Sequence, residues 1–300
     1  MSRDEVIVFG GSGFLGSHLA DILDESGYKV TIFDRSDSPW RKKSQNIIIG
    51  DILNAETVNE AIKGKRFVFH LAGIADIGEA AGRPKETLTC NMLGSINILE
   101  ACVTQGVERL LFASTVYVYS EKGSFYRVSK QSTELIIEAY AAQFGIGYTI
   151  LRYGSLYGPR AQEWNGLKRY VTEAVCNAKV VYPGTGEERR EYIHVLDAAR
   201  LSVNALDPEF RNQCLTLTGA QIMTTSEMLH IIREVLGREV TIEFSTSRES
   251  YTNAHYGMTP YRYTPKMGRK IIPSTFIDIG QGILQLIEEA SQTINTDAKE

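Results

Sequence analysis

The sequence predicts an α/β fold, with a doubly wound parallel sheet and a smaller C-terminal domain. Short runs rich in valine, isoleucine and phenylalanine alternate with amphipathic stretches over the first half of the chain. Such runs, separated by helices, are typical of parallel strands that are covered on both faces. A glycine-rich turn follows the first run, and the regular alternation is lost in the second half of the chain.

The elements follow from these runs in chain order. Strands are predicted at residues 5–10, 28–34, 46–50, 66–72, 109–114 and 147–153. Helices are predicted near residues 14–26, 55–63, 85–105 and 127–144. Two later segments are expected to return to the main sheet, a strand that leads into a helix at 190–206 and a strand at 213–219. A last helix is expected at 276–290. The main domain is therefore predicted at 1–163 with a return at about 191–222, and the second domain at 164–190 and 223–300.

Composition excludes several classes of function. The net charge is −4 and no basic block occurs, so nothing suggests a nucleic-acid partner. No apolar run approaches the ~20 residues of a membrane span, so no membrane partner is expected. Four cysteines lack CxxC spacing, which favours reduced thiols and a cytoplasmic protein. The histidines show no ligand spacing, so no metal is expected.

The segment GGSGFLG, which follows the first strand and opens a helix, predicts a dinucleotide site. Gly10 and Gly13 permit a tight turn and close backbone approach to a pyrophosphate, and Gly16 permits close packing of the helix on the strand. The helix N-terminus adds positive potential at the same place. An acid, Asp34, ends the second strand, where a Rossmann fold carries the carboxylate that binds the adenosine ribose.

Residues around this acid bear on the choice of cofactor. The Asp34 carboxylate favours NAD because it repels the 2′-phosphate of NADP. Arg35 either accommodates that phosphate or is a solvated surface residue, and the first alternative would weaken the preference. Asp51, which ends the third strand, either meets the adenine edge or caps the following helix. The sequence leaves both alternatives open.

Three residues near the fifth strand predict hydride chemistry on a carbinol. Thr115 lies at the carboxyl end of that strand, where open α/β sheets bind their ligands. Tyr126 and Lys130 stand one helical turn apart at the start of the next helix. Lys130 and a positive nicotinamide ring would both favour the phenolate and lower the pKa of Tyr126. Tyr126 would then take the hydroxyl proton of the substrate while Thr115 orients the same oxygen.

Five motifs together resemble the extended short-chain dehydrogenase/reductase family, in its NAD-dependent epimerase/dehydratase branch that acts on nucleotide sugars. GGSGFLG resembles TGGxGFIG with Phe9 in place of threonine, and HLAG at 70–73 resembles HLAA. NMLGSINILEA at 91–101 resembles NxxGTxNLLEA, LRYGSLYGPR at 151–160 resembles LRYFNVYGPR, and REYIHVLDAA at 190–199 resembles RDFIHVDDVA. The resemblance covers most of the chain and assigns the second domain to substrate binding.

The resemblance also implies the residues of the site. For the cofactor these are Gly10, Gly13, Phe14, Leu15, Gly16, Asp34, Arg35, Asp51, Ile52, Leu71, Ala72, Gly73, Asn91, Tyr126, Lys130 and Tyr153. For a nucleotide-sugar substrate they are Thr115, Tyr117, Ser155, Arg190 and Arg262. An arginine at the position of Arg190 contacts the substrate diphosphate in this family, and a guanidinium suits that contact. The family also implies a homodimer, built from the long helices near 85–105 and 127–144.

Departures from the family pattern narrow the reaction. Dehydratases of the family carry Asp and Glu after the threonine, whereas this chain has Val116 and Tyr117. Epimerisation through a transient keto sugar, at C4 by our expectation, needs only the hydroxyl, Tyr and Lys, so it is favoured over dehydration. Only ten residues separate Thr115 from Tyr126, and Ser155 replaces the usual Asn, so we expect an unusual sugar pocket. The alternatives are a nucleotide-sugar dehydratase or a net keto-sugar oxidoreductase of the same family, and a catalytically quiet NAD(P)-binding protein.

Overall fold

The computed structural model describes residues 4–219 and 222–245. Its strands are β1 Glu5–Phe9, β2 Lys29–Asp34, β3 Asn46–Ile49, β4 Phe67–His70, β5 Arg109–Thr115, β6 Gly147–Tyr153, β7 Ser155–Tyr157, β8 Lys179–Tyr182, β9 Arg189–His194, β10 Gln213–Leu217, β11 Ile222–Thr224 and β12 Thr241–Phe244. Its α-helices are α1 Phe14–Glu25, α2 Ala55–Ile62, α3 Ile77–Gly82, α4 Pro84–Leu88, α5 Gly94–Gln105, α6 Ser124–Phe144, α7 Gly166–Asn177, α8 Val195–Asn204 and α9 Thr225–Leu236.

The main sheet has seven strands in the order β10-β6-β5-β4-β1-β2-β3, and every neighbouring pair is parallel. Alternate residues of each strand face opposite sides, so Val6 and Val8 join one core while Ile7 and Phe9 join the other. Helices α1 and α8 cover the first core, and α2, α5 and α6 cover the second. Burying one such aliphatic side chain contributes roughly 1.5–3 kcal/mol. The predicted doubly wound parallel sheet is confirmed.

A smaller lobe follows the sixth strand. One of its sheets has the order β11-β9-β7, and β12 pairs with β8 in a second sheet. Helices α7 and α9 pack on these strands around a core that includes Tyr170, Tyr182 and Leu229. Helix α9 begins with a reciprocal cap, since the Thr224 side chain accepts from the Glu227 amide and the Glu227 side chain accepts from the Thr224 amide.

The later segments follow the sequence prediction only in part. Strand β10 joins the main sheet beside β6, as expected. Strand β9 does not, because it pairs with β7 and β11 in the smaller sheet, so the expected return of residues 190–194 to the main sheet is wrong. The helix after it, α8, does return and packs against α1. Hydrophobic alternation identifies a strand but carries no information on which sheet it joins. The helix expected at 276–290 lies outside the described residues.

The predicted helix at 85–105 is interrupted. The structure divides it into α4, a π-helical turn at Thr89–Leu93, and α5. One wide turn of this kind inserts a residue into the helix and redirects the side chains that follow, and such turns often occur at functional sites. Among the helices of the described ranges, none combines the length and apolar character needed to cross a membrane.

Candidate active site

A cavity of about 1270 Å³ lies at the carboxyl ends of the main-sheet strands and extends to the smaller lobe. Open α/β sheets bind their ligands at this edge. The cavity brings together almost all the residues that the sequence predicts for the site. Those that line it are Gly10, Gly13, Phe14, Leu15, Gly16, Asp34, Arg35, Asp51, Ile52, Leu71, Ala72, Gly73, Thr115, Tyr117, Tyr126, Lys130, Tyr153, Ser155 and Arg190. Asn91 is not among them, and Arg262 lies outside the described residues.

The turn between β1 and α1 fits the phosphates of a dinucleotide. Gly10 has φ of +81°, and a Cβ there would lie 2.7 Å from the backbone nitrogen of Ala72. A Cβ at Gly16 would overlap the carbonyl oxygen of Gly10, so α1 can approach the turn only with glycine at that position. Gly13 is the N-cap of α1, and no side chain caps the helix. The first amides and the positive end of α1 are therefore available to an anion.

The acids at the next two strand ends differ in their surroundings. The Asp34 carboxylate accepts from the Ser12 amide at 3.0 Å and from the Arg35 amide at 2.8 Å, which fixes its orientation at the cavity edge. Asp51 accepts from the amide of Leu53 at 2.9 Å. Asn54, and not Asp51, caps α2. The alternative that Asp51 is the helix cap is therefore wrong, and Asp51 remains a cavity residue.

The catalytic candidates converge from β5 and α6. Thr115 is buried at the end of β5, and its hydroxyl accepts from the Tyr117 amide at 3.3 Å. The ammonium group of Lys130 donates to the Ala113 carbonyl oxygen at 2.7 Å and lies 5.9 Å from the centroid of the Tyr126 ring. Burial lowers the pKa of Lys130 to about 8, against the smaller opposing effects of nearby acidic groups. A largely protonated lysine therefore stands beside the phenol at neutral pH.

Asn91 lies behind the cavity wall, in the π-helical turn, and is almost fully buried. Its side-chain oxygen accepts from the Ile74 amide at 2.7 Å, and its amide nitrogen donates to the Ile74 carbonyl at 3.0 Å and to the Ser129 hydroxyl at 2.9 Å. It thus ties the loop after β4 to the helix that carries Tyr126 and Lys130. The sequence places Asn91 in the cofactor site, whereas the structure gives it contacts to the walls of that site.

The Tyr153 hydroxyl is bonded to a residue of α8. Tyr153 lines the cavity, but its side chain belongs to the core and its hydroxyl is 2.6 Å from the hydroxyl of Ser202 on α8. Burial raises the pKa of Tyr153, so this phenol stays protonated. From the smaller lobe, Ser155 on β7 and the buried Arg190 on β9 face the same cavity.

Two parts of the cavity lining are not among the residues predicted from the sequence. One part follows β4 and includes Asp76, which caps α3 through a 2.6 Å bond from the Glu79 amide. The other precedes α7 and includes Trp164 and Asn165, which caps that helix through the Lys168 amide at 3.1 Å. Both caps are visible in the sequence as Asp or Asn before a helical stretch. Nothing in the sequence indicates that these helix starts face the cofactor loop.

Comparisons with known proteins agree with this geometry. A model of the NAD dependent epimerase/dehydratase family matches residues 6–213. The UDP-N-acetyl-alpha-D-glucosaminuronate decarboxylase of Bacillus cytotoxicus is 28% identical over 261 residues, which cover 78% of this chain and 80% of that protein. The UDP-glucose 4-epimerase of Thermotoga maritima, solved with UDP-glucose, is 25% identical with a TM-score of 0.79, covering 87% of this chain and 90% of that one. The UDP-glucose 4-epimerase of Thermus thermophilus, in complex with NAD, is 25% identical with a TM-score of 0.75, covering 88% and 95%.

Proposed function

Because this chain belongs to the NAD-dependent epimerase/dehydratase family, we propose that it is an NAD-dependent epimerase of a nucleoside-diphosphate sugar. The reaction occurs at C4 through a transient keto sugar. The observation that carries the proposal is the convergence of Thr115, Tyr126 and Lys130 on the cavity that also holds the glycine turn. These three side chains are sufficient to remove a proton from a sugar hydroxyl and to return it.

The cofactor half of the cavity fits NAD. The backbone at Gly10 and Gly16 leaves no room for a side chain and offers the open end of α1 to the pyrophosphate. The fixed carboxylate of Asp34 receives the ribose hydroxyls and repels a 2′-phosphate, which favours NAD over NADP. NAD held there would supply the acceptor, and then the donor, of the hydride that leaves and returns to the sugar carbon.

The proton moves through Tyr126. The charge of Lys130, 5.9 Å from the ring centroid of Tyr126, favours the phenolate that takes the sugar hydroxyl proton. Thr115 donates a hydrogen bond to the same sugar oxygen and holds it in line with the phenol. Return of the proton by Tyr126 completes the cycle, so the chain needs no further acid or base.

Two positions beside Thr115 argue against dehydration. Val116 is buried and can neither give nor take a proton, and Tyr117 packs its ring edge against Tyr126 with the centroids 6.5 Å apart. Elimination of water needs an acid and a base at such positions. Decarboxylation is the second candidate, favoured by the likeness to the Bacillus cytotoxicus decarboxylase. Oxidation at C4 would make a uronate a β-keto acid, which loses carbon dioxide without further catalytic groups.

The substrate nucleotide and the setting of the protein belong to the same proposal. UDP is the expected nucleotide because the solved relatives include one with UDP-glucose. Arg190 would hold the diphosphate from the smaller lobe, and residues 164–190 and 223–300 would form the substrate-binding domain. A homodimer and a cytoplasmic location are proposed, the latter supported by four free cysteines.

Incubation of the purified protein with UDP-hexoses and UDP-uronates, without added cofactor, tests the proposal by NMR of the products. We expect the C4 epimer of one substrate. Release of a UDP-pentose would instead establish decarboxylation. Stoichiometric NADH or a 4-keto-6-deoxy product would contradict epimerisation and favour net redox chemistry or dehydration.

The variant Tyr126→Phe removes the proton acceptor and should abolish turnover while the protein still retains NAD. The matched control is Tyr140→Phe on the same helix, where the tyrosine contacts Glu100 outside the cavity. This control should keep full activity. Activity in the Tyr126→Phe protein would refute the role given to Tyr126.

A further inference from the structure

A polar cluster lies directly behind the catalytic residues, and we call Ser114, Tyr119, Glu134 and Arg152 the Glu134–Arg152 cluster. Arg152 forms a two-pronged ion pair with Glu134, with Nε 3.0 Å from Oε1 and Nη2 2.6 Å from Oε2. The Ser114 hydroxyl donates to the same carboxylate. Both charged side chains are largely buried, with 18% of the Arg152 side chain and 8% of the Glu134 side chain exposed.

The cluster joins β5 to α6 in register with the catalytic groups. On α6, Tyr126, Lys130 and Glu134 follow at intervals of four residues and therefore share one side of the helix. On β5, Lys130 binds the carbonyl of Ala113 and Glu134 binds the side chain of Ser114, the residue before Thr115. The helix is thus attached to consecutive strand residues immediately before the catalytic hydroxyl.

The cluster also holds the turn that follows Thr115. Arg152 is the direct partner of Ser114 across the β5–β6 ladder. Its Nη1 donates to the Tyr119 hydroxyl at 2.7 Å, and its guanidinium lies 4.9 Å from the Tyr119 ring centroid. Tyr119 ends the short helical turn Val116–Tyr119 that begins at Thr115. Arg152 therefore contacts the turn after Thr115 directly, and the residue before Thr115 through the Glu134 carboxylate.

We propose that Glu134 and Arg152 are positioning residues that set the hydroxyl of Thr115 relative to Tyr126 and Lys130. Neither side chain lines the cavity, so neither touches the substrate or the cofactor. The proposal rests on the proposed function for the identity of the reacting groups. Buried ion pairs can often be replaced by apolar residues without loss of stability, so stability alone does not require a charged pair at these positions. Positioning of Thr115 is the further role that we assign to the pair.

The test uses the charge-neutral replacement Glu134→Leu with Arg152→Met in one protein. We expect this double variant to unfold near the wild-type temperature, because neither charge of the pair is left buried without the other. Its kcat should fall roughly 100-fold, the effect of about 1 Å of misplacement, with KM and NAD affinity within about twofold of wild type. Each single variant should lower the unfolding temperature as well as kcat.

The matched control is a second partly buried ion pair, between Arg160 and Asp21. The Nη2 atom of Arg160 lies 2.9 Å from the Oδ2 atom of Asp21, and the pair joins α1 to the chain after β7. Asp21→Leu with Arg160→Met should leave kcat unchanged. Wild-type kcat in the cluster double variant would overturn the proposal. The proposal would also be overturned if adding the second substitution to a single variant restored both kcat and the unfolding temperature. That result would indicate a purely structural role for the pair.

A second measurement does not depend on any sugar substrate. The ionisation of Tyr126 is followed by near-ultraviolet phenolate absorbance in the NAD-loaded protein, with the Tyr126→Phe form of each protein as its blank. The double variant loses the Ser114–Glu134 link between β5 and α6, so Lys130, which is bonded to Ala113 of β5, is held less well beside the Tyr126 ring. The midpoint should therefore rise toward about 10, the value of an ordinary tyrosine. An unchanged midpoint would overturn the proposal. A raised midpoint in a protein that acts on no nucleotide sugar would refute the proposed function and leave the positioning role standing.

Discussion

Replacing the buried Lys130 by methionine is expected to stabilise the cofactor-free protein near neutral pH while abolishing turnover. Burial lowers the pKa of Lys130 to about 8 from an ordinary value of 10.5. At about 1.36 kcal/mol per pH unit, holding this lysine charged in the folded state costs about 3 kcal/mol. Loss of its hydrogen bond to the Ala113 carbonyl would offset about 1 kcal/mol. The methionine stem can still pack on the Phe112 ring, so the net gain is about 2 kcal/mol.

The gain should depend on pH in a defined direction. Below about pH 8 the folded and unfolded states both carry the Lys130 proton, so the whole cost is present. Between about pH 8 and about pH 10.5 the unfolded state binds more protons than the folded state, so the wild-type protein becomes more stable as pH rises. Above that range neither state is charged and the cost has disappeared. The advantage of Lys130→Met should therefore shrink by about 2 kcal/mol between about pH 7 and about pH 9.5.

Urea unfolding of both proteins at these two pH values measures the effect through the change in midpoint. The control is Lys63→Met, where the lysine is exposed beside α2 and should show neither the gain nor the pH trend. A Lys130→Met protein that is less stable than wild type at neutral pH would refute the reasoning. So would a stability difference that stays constant with pH.

Two further predictions concern Gly16, which lines the cavity, and Gly123, which lies against the cavity residue Tyr117. Gly16→Ala places a Cβ on the Gly10 carbonyl and should weaken NAD binding at least about tenfold in a fluorescence titration, whereas Gly82→Ala, with open space around it, should bind normally. Gly123→Ala requires an alanine at φ of +97° with its Cβ 2.8 Å from the Tyr117 ring. This substitution should displace the Tyr117 ring from beside Tyr126 and raise the KM for the sugar more than it changes NAD affinity. Equal effects on the KM and on NAD affinity would contradict a placement of Tyr117 at the sugar.

The first half of the fold could be predicted because local pattern and tertiary structure agree there. Apolar runs such as FVFH at β4 are buried on both faces, so the run itself marks the strand. The glycine turn was predictable because a backbone constraint leaves a visible residue type, and Asp34 because it ends a strand at a fixed distance from the turn. The parts of the site that depend on residue type and on the order of the strands could therefore be predicted from the sequence.

The remaining parts depend on relations that no local pattern records. The separate sheet of β9 is set by its partners β7 and β11, which are distant in sequence. Asn91 has the residue type of a ligand-binding side chain, but the π-helical turn buries it among backbone groups of Ile74. From the sequence, Glu134 is an ordinary helix residue, because its partner Arg152 comes from strand β6 and only the tertiary structure brings the two together.

The position of β10 at one edge of the main sheet has a consequence for synthesis on the ribosome. The sheet gains this strand only after the chain has passed through α7, β8 and β9, some sixty residues beyond β6. The guanidinium of Arg109 at the start of β5 is buried, and its bonds go to the carbonyl oxygens of Ala205 and Asp207. In a nascent chain that has not yet released these residues, the Arg109 guanidinium lacks the acceptors that it has in the folded protein. We therefore expect the nucleotide-binding half to reach its complete sheet and its full set of hydrogen bonds only after part of the smaller lobe has emerged.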